Sequence, residues 1–191
     1  MMAISAQKNK INVAIATWEW PSYFSPEDRL KGLTLQTAEW RRPPANTIPT
    51  DAKAAGLYMI CTLSKHKAEK DGFTDALMLD YEGKVAESTG SNIFFVFNGE
   101  LHTPIPHCFL DGITRQTAIS IAEKQGIKVV QRDIYPEEIK DAQEIFLTGS
   151  AVEINPVRKI DDLEFKVGKV TSMISDLYLS EVDKNYKIDN S

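Results

Sequence analysis

Glu87-Ser88-Thr89-Gly90-Ser91-Asn92-Ile93-Phe94-Phe95-Val96-Phe97-Asn98-Gly99-Glu100-Leu101-His102-Thr103 sets the reading of the whole chain. Its second half predicts a hairpin: residues 92–97 are aromatic and β-branched, Asn98-Gly99 is a strong two-residue turn, and residues 100–103 return. Just upstream, Ala76-Leu77-Met78-Leu79-Asp80 is a short apolar run followed by a Glu82-Gly83 turn. Residues 75–104 therefore read as an antiparallel meander. The first half is different in kind, a carboxylate followed by small and polar residues that no core would demand.

Working outward, residues 114–125 have helical spacing and are closed by Gly126. A strand is predicted at 127–131, a short helix from Pro136, a strand at 144–148 ending in Gly149-Ser150-Ala151, and an amphipathic helix over 168–182. Towards the N-terminus, a helix is predicted from about Lys53 to Lys70, with Leu57, Ile60, Cys61, Leu63 and Ala68 on its apolar side. Residues 40–49 contain Pro43, Pro44 and Pro49 and cannot be regular helix. Asn12 to Trp18 reads as a strand, and Trp20 to Pro26 as a loop. The order predicts an α+β domain over residues 1–183, with a mixed or antiparallel sheet or barrel flanked by helices, and a polar tail at 184–191.

At 191 residues and 42% hydrophobic, the chain can bury a real core. The net charge of −5 argues against a general nucleic-acid binder, which needs a positive face. Nothing approaches a membrane span or a signal-peptide core. Cys61 and Cys108 are too few for a disulfide framework and read as reduced, buried thiols. A soluble, cytoplasmic protein is expected. His66, His102 and His107 have no metal spacing, and no metal is expected. Trp18, Trp20 and Trp40 are expected in the core, and Arg41-Arg42 on the solvated surface.

Four features can carry chemistry. Lys53 is surrounded by Ala52, Ala54, Ala55 and Gly56, which let a bulky ligand approach; the plain alternative is a surface lysine. Glu87 ends a strand, where it either caps a turn or faces a cationic ring nitrogen. Gly112-Ile113-Thr114 opens a helix; Thr114 reads as the N-cap, and the first-turn N–H groups can hold an anion. Gly149-Ser150-Ala151 is either a simple turn or a site for phosphate or carboxylate.

Taken together these segments resemble the class IV aminotransferases, pyridoxal-phosphate enzymes of fold type IV, and within them the branched-chain group. The signature is met by Glu87, Thr89, Asn92, Ile93, Phe94, Leu101, Thr103, Leu110, Gly112, Ile113 and Arg115. Flanking likeness runs through 46–49, 53–58 and 148–158. The resemblance implies pyridoxal 5′-phosphate as cofactor, with Lys53 as its covalent anchor and proton carrier. It implies that Tyr58 bonds the phenolic oxygen, that Glu87 pairs with the ring nitrogen, and that Leu110 packs on the ring. Ile113 and Thr114 N–H groups and the Ser150 hydroxyl would hold the phosphate, and Ser150 and Ala151 N–H groups the substrate carboxylate. The implied reaction moves the amino group of Leu, Ile or Val to 2-oxoglutarate. The alternatives are a D-amino acid aminotransferase, an aminodeoxychorismate lyase, or an inactive, partner-dependent domain. Ser91 and Ser150 depart from the Glu and Thr common in the branched-chain group. The resemblance also implies a homo-oligomer, and a chain that lacks the family's smaller N-terminal domain, on the order of 100 residues.

Overall fold

The computed structural model describes residues 4–19 and 31–188. The loop expected at 20–26, and Trp20 with it, lies outside the described residues.

Among the described residues, nine strands form one mixed sheet in the order β3-β2-β1-β8-β7-β4-β5-β6, with β9 added beside β8. The strands are β1 (Leu33–Arg42), β2 (Asp75–Asp80), β3 (Val85–Ser88), β4 (Asn92–Phe97), β5 (Glu100–Thr103), β6 (Val129–Gln131), β7 (Glu144–Gly149), β8 (Glu153–Ile160) and β9 (Leu163–Glu164). Among the described residues, three α-helices flank them: α1 (Met59–Lys70), α2 (Ile113–Lys124) and α3 (Lys169–Ile188). Short 3-10 turns occupy Ala55–Tyr58 and Pro136–Asp141.

The predicted hairpin is β4–β5, and Asn98 and Gly99 take the left-handed φ values of 51° and 80° that its turn requires. The meander, however, is interrupted. β3 pairs with β2, whereas β4 pairs with β5 and β7, so residues 88–92 cross between two halves of the sheet. The Ser88 N–H donates to the Ser91 carbonyl at 2.8 Å and closes that crossing. The crossing explains the polar residues there: Ser91 and Asn92 line an opening, while Ser88 and Thr89 are buried beside it, with Thr89 bonded to Asp75.

β8 joins the two halves. Its first part pairs antiparallel with β7 through Pro156, and from Val157 it pairs parallel with β1. Pro156 has no N–H to give and stands where the strand changes partners. Leu33, Leu35, Leu77, Val85, Ile93, Phe95, Ile145, Leu147 and Val157 meet in one buried cluster. These come from both halves, so the sheet curls around a shared apolar interior. The opposite face of β4 and β7, with Phe94 and Phe146 stacked at 4.9 Å, is covered by α2 and α3. α1 covers β1 and β2 through Ala68, Ala76 and Met78.

Several expectations are corrected. Residues 12–18 form no strand; Ile11, Val13 and Ile15 are exposed, and no described strand offers them a ladder. Trp18 and Trp40 are exposed rather than core, at 64% and 51%. The helix expected from Lys53 begins instead as the 3-10 turn at Ala55, leaving Lys53 in a loop. Helix α3 runs on to Ile188, past the expected end at 182.

The start of α3 is held from outside. The Glu144 carboxylate accepts from the N–H groups of Val170 (3.2 Å) and Thr171 (2.8 Å) and from the Thr171 hydroxyl (2.8 Å). This negative charge also suits the positive end of the helix. Glu144→Ala is expected to destabilise the fold by about 1–2 kcal/mol, read as a drop of a few degrees in thermal melting. Glu144→Gln, which keeps an acceptor, should lose less.

Candidate active site

One cavity of about 320 Å³ opens at the crossing between the two half-sheets. Its lining brings together Lys53, Tyr58, Glu87, Leu110, Ile113, Thr114 and Ser150, residues spread over nearly a hundred positions. Ala151 is exposed next to Ser150, outside the lining.

Glu87 stands one residue before the end of β3 with only 8% of its surface exposed. Burial pushes its carboxyl up to about 8, Asp75 adds to the rise, and the Arg42 guanidinium opposes it. Arg42 Nε lies 3.4 Å from Glu87 Oε1 and donates to the Cys108 carbonyl at 3.2 Å, while Nη1 reaches Cys61 Sγ at 3.4 Å. Arg42 is 4% exposed, which corrects its surface assignment; Arg41 beside it is exposed. The reason is its partners: the Arg42 side chain reaches Glu87 of β3, Cys61 of α1 and the Cys108 carbonyl, which together enclose it. The pattern of two adjacent arginines could not show which one points inward. Burial also raises the Tyr58 phenol, with Glu87 contributing next.

Across the cavity, α2 begins at Ile113. Its N-cap is Gly112, not Thr114, and no side chain caps the first turn. The early N–H groups are therefore left for a ligand. The loop before them is clamped by Asn92: its Nδ2 donates to the Leu110 carbonyl at 2.9 Å, and its Oδ1 accepts from the Gly112 N–H at 3.3 Å. A Cβ at position 112 would sit 2.5 Å from Asn92 Oδ1, so the glycine is needed for closeness; its φ of −65° is ordinary. Arg115 is fully buried and bonds Asp111, Pro104 and Gln131, tying α2 to β5 and β6 rather than facing the cavity. Thr148, also in the lining, is 1% exposed and its Oγ1 has no partner.

The donor set fits a flat, phosphorylated, cationic ring. An amine and a phenol stand on one wall, a buried carboxylate is paired to arginine at the back, and open N–H groups and a spare hydroxyl face them. A lone anion would not call for Glu87, and a lone cation would not call for the α2 terminus. Residues 3–160 match the amino-transferase class IV family model.

The chain belongs to the class IV aminotransferases.

Family members use pyridoxal 5′-phosphate, and the residues just described suit it. The branched-chain-amino-acid aminotransferase of Pseudomonas aeruginosa is 35% identical over 184 residues, covering 95% of this chain and 60% of that protein. The T.th. branched-chain amino acid aminotransferase with pyridoxamine 5′-phosphate superposes with a TM-score of 0.81 at 38% identity, covering 85% of this chain and 54% of that one. The same enzyme complexed with N-(5′-phosphopyridoxyl)-L-glutamate gives a TM-score of 0.77 at 38% identity, covering 79% and 52%. The chain thus spans between about half and 60% of the length of these relatives. No described helix is long and apolar enough to cross a membrane, and no described cluster of His, Cys, Asp or Glu could hold a metal ion.

Proposed function

We propose that this chain forms the cofactor-binding part of a branched-chain amino acid aminotransferase that passes the amino group of Leu, Ile or Val to 2-oxoglutarate through pyridoxal 5′-phosphate. The observation that carries this is the meeting of Lys53, Glu87 and the α2 N-terminus around one cavity. When bound, the cofactor supplies a protonated ring that draws electrons away from the substrate Cα.

The chain's own groups do the rest. Lys53 holds the cofactor covalently and carries the proton taken from the substrate Cα. Glu87 keeps the ring nitrogen protonated, and Arg42 favours its ionised form. Tyr58 bonds the phenolic oxygen, and Leu110 packs on the ring. The Ile113 and Thr114 N–H groups and the Ser150 hydroxyl hold the phosphate. Ser150 and Ala151 N–H groups receive the substrate carboxylate. The glutamate adduct of the T.th. enzyme supports 2-oxoglutarate as acceptor. A cytoplasmic homo-oligomer completes the reading; light scattering on the purified chain tests the assembly.

The test is reductive trapping. Borohydride treatment of the chain with cofactor, followed by peptide mass mapping, should place the pyridoxyl group on Lys53. A chain that folds but takes up no cofactor would overturn the assignment. A substrate panel then separates L-leucine turnover from D-alanine or aminodeoxychorismate turnover. Gly112→Ala should weaken cofactor binding by about tenfold or more, ~1.4 kcal/mol, because the new methyl group pushes Asn92 off the loop. Fluorescence titration with pyridoxal 5′-phosphate measures it.

A further inference from the structure

Behind Glu87 lies a second buried carboxylate that the proposed chemistry does not use. Asp75 begins β2 and is 9% exposed. Its Oδ1 accepts from the Thr89 hydroxyl at 2.5 Å and from the Ala76 N–H at 2.8 Å. Thr89 is itself buried, two residues beyond Glu87 in the segment that crosses between the half-sheets. Lys65 of α1 reaches towards Asp75 from the far side, with Nζ 3.9 Å from Oδ1, and also donates to the Thr74 carbonyl at 3.0 Å.

Two carboxylates, Glu87 and Asp75, thus lie near the face that α1 covers, one paired to Arg42 and the other approached by Lys65. Burying a carboxylate is costly unless it is hydrogen-bonded or paired. The shorter of the two hydrogen bonds to Asp75 Oδ1 comes from Thr89, so the turn that aims Glu87 into the cavity is fastened to this carboxylate.

We propose that Asp75 is a positioning residue for Glu87, fixing the Glu87 turn through Thr89 and setting a second negative charge behind it. The proposal rests on the cofactor reading for its purpose but not for its test. Arg42, Asp75, Tyr58, Cys61 and Cys108 are the charged or titratable groups that interact with Glu87, and Lys65 faces Asp75. Asp75 is the group among them that repels a Glu87 charge from the next strand.

The experiment is a carboxyl ¹³C NMR titration of Glu87 in the ligand-free chain, wild type against Asp75→Asn. The variant keeps an acceptor for Thr89 and removes the charge. The Glu87 midpoint is expected to fall by about one pH unit. In parallel, Thr89→Val should weaken pyridoxal 5′-phosphate binding about tenfold while leaving its 1-deaza analogue, which has no ring nitrogen, within about twofold. Thr89→Ser should restore the wild-type ratio. An unchanged Glu87 midpoint in folded Asp75→Asn overturns the proposal, as does equal weakening of both ligands in Thr89→Val. Should Asp75→Asn not fold, the Thr89 pair decides alone. A wild type that binds neither ligand defeats the cofactor reading, and the titration still decides the role of Asp75.

Discussion

Lys53→Ala is expected to lower transamination by at least about ten-thousandfold, ~5.4 kcal/mol in barrier, because under the proposed function it removes both the covalent anchor and the proton carrier. Steady-state turnover of L-leucine reads the loss. The visible absorbance of the bound cofactor should shift with it. Melting temperature should hardly move, since Lys53 is exposed in a loop and contributes little packing. Lys53→Arg should not rescue, because a guanidinium is too basic to act as nucleophile or base. Small added amines should restore part of the activity in the alanine variant. If Lys53→Ala keeps turnover within tenfold of wild type, another residue does the chemistry.

Glu87→Gln carries the second large effect, and it separates stability from function. The folded carboxyl titrates at about 8, above its ordinary value of 4.5. The folded state therefore holds a proton that the unfolded state has released between those values. Stability from this group is full below about pH 4.5 and is lost as pH rises through 8. The penalty at high pH is on the order of a few kcal/mol. Glutamine imitates the protonated form and cannot ionise. The ligand-free variant should melt like wild type near pH 5 and clearly higher near pH 8.5. Denaturant titrations at both pH values check this; equal midpoints at pH 8.5 would refute it. Activity should move the other way. Under the proposed function, the loss of the anion that would face the ring nitrogen is expected to lower turnover by about a hundredfold or more. A side chain that costs stability and supports turnover is typical of functional sites.

Much of the site could be read from local sequence because its parts are local devices. Asn98-Gly99 specifies its turn by backbone preference alone. Gly112 ahead of a helical pattern signals close approach and open N–H groups, and the structure shows Asn92 filling the space a Cβ would take. Glu87, followed by small polar residues, marks a strand end facing an opening.

Other features were hidden because they depend on what lies across the sheet. β1 and β8 carry no clean alternation: β1 lies between β2 and β8, is packed by α1, and exposes residues 39–41 in a row. Trp40 is exposed there, against the usual preference of tryptophan. Residues 12–18 alternate like a strand yet have no described ladder to join, and a strand without a partner leaves its backbone groups unpaired. Arg42 and Arg41 cannot be told apart by type.

The sequence by itself determined the Asn98-Gly99 turn, the presence of three helices though not their ends, the class of fold and the residue types suited to amine chemistry on a phosphorylated ring, since each is encoded within a few neighbouring positions. Only the tertiary structure decided that Arg42 pairs with Glu87, that Asn92 clamps the Gly112 loop, and that Asp75 stands behind Thr89. Those contacts join separate strands and loops, and their strength comes from burial, which no single segment of chain can create alone.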